Sequence, residues 1–118
     1  MSPNRILVRR WTEEIFNQGK MATVDEVLAA EYIHHDPLFP EIQGCESFKR
    51  LVATLRAAFP DLRYTVDDLI EDGDKVVMRW TFRGTQKAEF LGIAATNSVT
   101  DVPGTTTVRL AQGRVVED

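Results

Sequence analysis

Both histidines of this 118-residue chain lie in one short stretch, EYIHHDPLFP at residues 31–40, where His34 and His35 are followed at once by Asp36. Two imidazoles and a carboxylate within three residues suit a metal site, a proton-transfer site or an ordinary strand end. A zinc or iron site usually needs three or more protein ligands, and successive residues of a strand point to opposite faces. His34 and His35 therefore do not converge on one ion. The chain has no third histidine and a single cysteine, so no metal is expected. Alternation also separates the histidines by role. Ile33 and His35 share one face, Tyr32 and His34 the other; an inward Ile33 takes His35 inward with it. An imidazole projecting into a pocket can move protons near neutral pH. The plainer alternative is a histidine at the core edge, bonded to a backbone carbonyl.

Other candidates carry a plain reading beside a functional one. Asp61 follows Pro60 and is either a pocket carboxylate or a turn carboxylate accepting from nearby backbone N–H groups. Arg79 and Arg109 each have a threonine two residues away, Thr81 and Thr107. An arginine covered inside a sheet needs a carboxylate or an anionic ligand; otherwise it belongs to a solvated or dimer-facing surface. Trp11, Phe48, Trp80 and Phe90 form apolar pocket walls or plain core. Cys45 has no nucleophile motif around it and reads as a packing thiol.

Composition narrows the classes. The net charge is −4 and 27% of residues are charged, so no basic face for nucleic acid or anionic lipid is evident. The lone cysteine suits a reducing, cytoplasmic setting. No apolar run approaches the roughly 20 residues of a membrane span. No Gly-rich nucleotide loop and no G-x-S-x-G elbow occurs. Any chemistry is then expected to be proton transfer without a cofactor.

These residues must be held by helices first and strands after. Leu7, Trp11 and Ile15 recur every four residues within 4–18, an amphipathic helix stopped near Gly19. Thr23 and Glu26 have capping-box spacing before a short helix to about Ala30. Phe48, Leu51, Val52, Leu55 and Phe59 mark a third helix, ended by Pro60. From Leu62 the period becomes two. Leu62, Tyr64 and Val66 face one side; Asp68 falls on that face too, and is either a buried carboxylate with a raised pKa or displaced by a bulge that turns Leu69 inward. Val76, Met78, Trp80 and Phe82 alternate with Val77, Arg79 and Thr81. EDGDK and AQGR read as hairpin turns. Pro103-Gly104 reads as a bend or bulge in a strand over 98–111, and RVVED starts a last strand. The order predicts one α+β domain over 1–118, a curved, mostly antiparallel sheet wrapped on three N-terminal helices as a cone with a pocket.

The chain resembles the SnoaL-like polyketide cyclase family, which shares the nuclear-transport-factor-2-like cone of ketosteroid isomerase. NQGKMATVDEVLAAEYIHHDP, AAFPDLRYTVDDLIEDGDKVVMRWTFRGT, EFLGIAAT and VRLAQGRVVED carry the likeness, in the family's order. It implies a pocket at the wide end of the cone. It also implies ring closure by an intramolecular aldol reaction without metal or cofactor. The family's H-[DN]-P falls on His35, Asp36 and Pro37, and its F-P-D on Phe59, Pro60 and Asp61. Arginine positions fall on Arg79 and Arg109. Where many relatives read G-T-H, this chain has Gly84-Thr85-Gln86. Relatives run on through E-x-W-x-x-x-D and use that aspartate as acid/base; here the sequence reads Glu117-Asp118, and Asp118 does not align with it. An R-x-D feature of epoxide hydrolases on this fold is replaced by Arg79-Trp80-Thr81.

The resulting expectation is an acid/base cyclase or isomerase acting on a small hydrophobic carbonyl compound. His35, Asp61 and Gln86 would be its catalytic positions. Trp11, Phe48, Arg79, Trp80, Phe90 and Arg109 would bind the substrate. The alternative is a non-catalytic ligand-binding or dimerising module of the same fold. A homodimer is expected from the resemblance.

Overall fold

The structure, a computed structural model, describes residues 2–35 and 42–118. Asp36 and Pro37 of the H-[DN]-P stretch lie outside the described residues. Helix α1 (Pro3–Arg10) starts where Ser2 accepts from the Arg5 N–H at 3.2 Å, with Pro3 in the first turn. It runs on as a π-helical segment (Trp11–Asn17), widened so that the Gln18 N–H reaches Glu13 O at 3.1 Å. A wider turn rotates the following side chains; Trp11 and Ile15 end buried, with Phe16 packed against the same core. Arg56 closes the end by donating to Phe16 O and Asn17 O at 2.7 and 3.0 Å. Gly19 lies beside it at φ +71°, where a Cβ would stand 2.7 Å from Arg56 Nε.

Helix α2 (Met21–Val27) lacks the expected capping box: its N-cap is Lys20, and buried Thr23 instead donates to Glu14 at 3.0 Å. The helix ends at Val27, earlier than its pattern suggests, because Leu28 already belongs to strand β1 (Leu28–His34). After the short β2 (Ile42–Gln43), helix α3 (Gly44–Ala58) buries Phe48, Val52 and Leu55 along one face. Strands β3 (Arg63–Asp72), β4 (Lys75–Thr85), β5 (Val99–Ala111) and β6 (Arg114–Glu117) complete the fold.

Among the described residues one six-stranded sheet forms, in the order β2-β1-β6-β5-β4-β3, antiparallel except where β1 meets β6. The expected bulge is present: the β3–β4 register shifts between Val66 and Asp68, which turns Leu69 toward the core and leaves Ile70 exposed. Pro103 and Gly104 stay in regular register with Thr81 and Trp80, so they form no bulge against β4. The glycine has another cause: a Cβ at Gly104 would lie 2.2 Å from the Trp80 ring. Helices grouped on one side of a curved, mostly antiparallel sheet are the α+β arrangement expected. The main core joins Val8, Trp11, Ile15, Tyr32, Phe48 and the inward residues of β4 to β6.

Candidate functional site

Between the helices and the sheet lies a cavity of about 430 Å³, within the range of roughly 300–1,000 Å³ that small-molecule sites occupy. Eight aromatic residues contribute to its wall. The helices contribute Trp11, Phe16 and Phe48, the sheet Tyr64, Trp80 and Phe82. Phe59 and Phe90 add to it from the junctions beyond. The rings meet edge to face, Phe16 with Tyr64 at 5.0 Å and Phe59 with Phe82 at 5.1 Å between centroids, the arrangement ring quadrupoles favour. Trp80 lies over Gly104 and is fixed by its indole N–H, which donates to Thr106 Oγ1 at 2.9 Å.

The polar part of the wall is small. His34 of β1 and Asp118, just past β6, line it together, with His34 Nδ1 hydrogen-bonded to Asp118 Oδ1. Backbone pairing explains the meeting. Asp118 N–H donates to Ile33 O at 3.2 Å, and His35 N–H donates to Asp118 O at 3.0 Å. Asp118 therefore sits beside His34 in the parallel register, on the same face. Their side chains are 1% and 15% exposed. An imidazole and a carboxylate sharing a hydrogen bond in an apolar cavity have the chemistry to accept and return a proton.

The expected histidine orientation is thereby corrected. Tyr32, fully buried, and His34 face inward; His35 is exposed and does not line the cavity. Its Nε2 meets Glu117 Oε2 at 2.9 Å, and Glu117 Oε1 accepts from Arg109 Nε at 3.1 Å. These two bonds hold the Glu117 carboxyl below the ordinary glutamate range, Arg109 contributing most. Arg109 is thus on the outer side of the sheet and not in the cavity wall. Arg79 is exposed on that side too, because β4 alternates and Met78 and Trp80 take the inside. Asp61 is also outside. It accepts from the Thr85 N–H at 2.7 Å and Thr85 Oγ1 at 2.8 Å, which lowers its pKa, as the turn reading has it.

The structure brings Trp11, Phe48, Trp80, Gln86 and Phe90 to the cavity. Gln86 is buried there with its amide committed. Its Nε2 donates to Ala88 O, Ile93 O and Ala94 O at 3.0–3.3 Å, and its Oε1 accepts from Thr96 at 3.1 Å. It ties down the 86–97 segment. There Phe90 and Ile93 exchange backbone hydrogen bonds across Leu91 and Gly92, both at positive φ. The polar pair of the cavity, His34 and Asp118, is not among the site residues expected from the sequence. Strand parity alone does not mark His34, because Tyr32 and Ile33 offer an apolar residue to each face. Nothing local marks Asp118, whose partner is 84 residues away.

Comparison with known proteins places the chain. The family model for the SnoaL-like polyketide cyclases matches residues 6–118. Among solved structures, a protein from Jannaschia sp. CCS1 described as a SnoaL-like polyketide cyclase superposes with a TM-score of 0.90 at 27% identity. It covers 98% of this chain and 81% of its own. TsrD from Streptomyces laurentii gives 0.87 at 28% identity, covering 98% and 84%. IdmH from Streptomyces antibioticus, described as a polyketide cyclase, gives 0.80 at 28% identity, covering 99% and 88%. A search of curated proteins finds no match.

Proposed function

The chain belongs to the SnoaL-like polyketide cyclase family, and from that premise we propose that it moves a proton on a small apolar carbonyl compound, with His34 and Asp118 as the acid/base pair. One observation carries the reading: an imidazole–carboxylate pair is set into the wall of a largely apolar cavity. The pair removes a proton from the carbon next to a carbonyl and leaves an enolate. In a ring closure, the enolate carbon bonds to a second carbonyl carbon of the same molecule. That carbonyl oxygen takes up the proton, so the pair is regenerated and no other reactant is consumed. Asp118 offsets the positive charge the imidazole gains, and the apolar wall strengthens that interaction by excluding water. Pairing of two copies, drawn from the fold's relatives, belongs to the same proposal; light scattering at high concentration tests it, a clean monomer counting against it.

The experiment is proton exchange in D₂O. Aromatic 1,3-diketones and similar apolar ketones are incubated with the protein, and loss of the α-proton signal is followed by NMR. Wild type accelerates exchange; His34→Gln lowers the acceleration about 10²-fold or more, the usual worth of a positioned acid/base. No acceleration by wild type with any compound that binds would overturn the reading. The second reading, a binding module without catalysis, is favoured by Gln86, whose amide is spent on loop carbonyls and so polarises no ligand. Binding detected by tryptophan fluorescence with no exchange would establish it.

A further inference from the structure

Tyr32 lies beside this site without lining it. Its side chain is fully buried, its ring 5.4 Å from Phe48, and it sits two residues before His34 on the same face of β1. Among the described residues its hydroxyl has no formed hydrogen bond, and neither has Asp118 Oδ2, the carboxylate oxygen that His34 Nδ1 does not hold. A buried donor and a buried acceptor left open are each costly, and native interiors rarely keep such groups apart. Burial first, then the Asp118 charge, pushes the Tyr32 phenol far up. The hydroxyl therefore stays protonated and able to donate across the neutral range.

We propose that Tyr32 is a positioning residue whose hydroxyl donates to Asp118 Oδ2, holding the carboxylate between phenol and imidazole and setting the basicity of the His34–Asp118 pair. It rests on the reading of that pair as the acid/base unit. A donor on the second oxygen draws charge away from the first. Asp118 then attracts an imidazolium less, and His34 gives up its proton more readily. The other titratable groups on the elements packed against β1 are occupied elsewhere. Lys49 of α3 pairs with Asp25 of α2 at 2.9 Å, Glu26 with Arg10 at 2.8 Å, and Glu117 with Arg109 and His35. Arg114 of β6 donates to the carbonyls of Asp25 and Leu28. Cys45 of α3 is held as a thiol chiefly by burial. Tyr64 is the remaining titratable group among the described residues of the cavity wall.

Tyr32→Phe keeps the ring against Phe48 and removes only the hydroxyl. The His34 ring signals are titrated by NMR in the full chain, wild type against variant, with no substrate present. The expected result is a His34 midpoint raised by roughly one pH unit, the scale of one hydrogen bond to a charged group. The alkaline shift should also appear in the pH profile of D₂O exchange. An unmoved midpoint, or a ring that does not titrate in either folded protein, overturns the proposal. A purely structural role would lower the melting temperature and leave the midpoint in place. Because the titration needs no ligand, a moved midpoint without exchange activity would sink the acid/base function and leave the Tyr32 contact standing.

Discussion

His34 and His35 are neighbours, and each faces a carboxylate from the same stretch of chain, Asp118 and Glu117. The chemistry is nearly identical and the surroundings are opposite. The inner pair has side chains 15% and 1% exposed; the outer pair has 53% and 40%. Solvent and a competing arginine reach the outer pair, so its interaction is screened and shared. The inner pair lines the same cavity as the aromatic rings and is largely withdrawn from solvent. One residue of strand alternation thus converts a surface ion pair into a candidate proton carrier. Residue type alone does not distinguish them.

The largest contrast should come from the two carboxylates. Asp118→Asn is expected to cut D₂O exchange about 10²-fold or more, while Glu117→Gln leaves it within roughly twofold, since surface pairs contribute little. Equal losses in parallel exchange assays would erase the distinction between the faces. Next comes the cavity wall at Trp80. Gly104→Ala puts a methyl into the Trp80 ring and should cost about 1–3 kcal/mol of stability through overpacking. Urea unfolding checks this, with Thr105→Ala on the exposed side as the control, expected within about 0.5 kcal/mol.

A smaller effect separates the pairs by pH. The folded-state pKa of Glu117 is lowered by Arg109 and His35. Its contribution to stability is therefore complete above the unfolded glutamate value of about 4.3. It is lost as pH falls through the lower folded value. The stability difference between wild type and Glu117→Gln should be present at neutral pH and shrink in acid; a difference that grows in acid would contradict the assignment. The smallest effect is expected from His35→Ala, with exchange within about twofold of wild type, because the side chain is exposed and outside the cavity.

Much of the fold is legible in local pattern. The period of α3, the two tight turns and the bulge that turns Leu69 inward all follow from residues close in sequence. The site is less legible, for two reasons. In Tyr32-Ile33-His34-His35 both faces of the strand carry an apolar residue, so parity is undetermined until the register is known. Tyr32 takes the inside and Ile33 is only half-buried. The pairing that brings Asp118 to His34 is parallel and long-range, and no short segment encodes it. Arg79 gives the opposite lesson. Its own strand alternates with Met78 and Trp80 inward, which sends it outward, while the family correspondence alone implies the pocket. Asp61 likewise followed its turn chemistry.

The position of β6 has a consequence for how the molecule comes together. The sheet is two half-sheets, β2–β1 and β5–β4–β3, joined by four residues. Until that keystone inserts, β1 and β5 each present an open edge, and joining them closes a loop of most of the chain, a slow kind of event. The same insertion delivers Asp118 to His34. A chain whose halves have not joined therefore lacks the pair altogether, so the His34–Asp118 contact doubles as a reporter that assembly is finished.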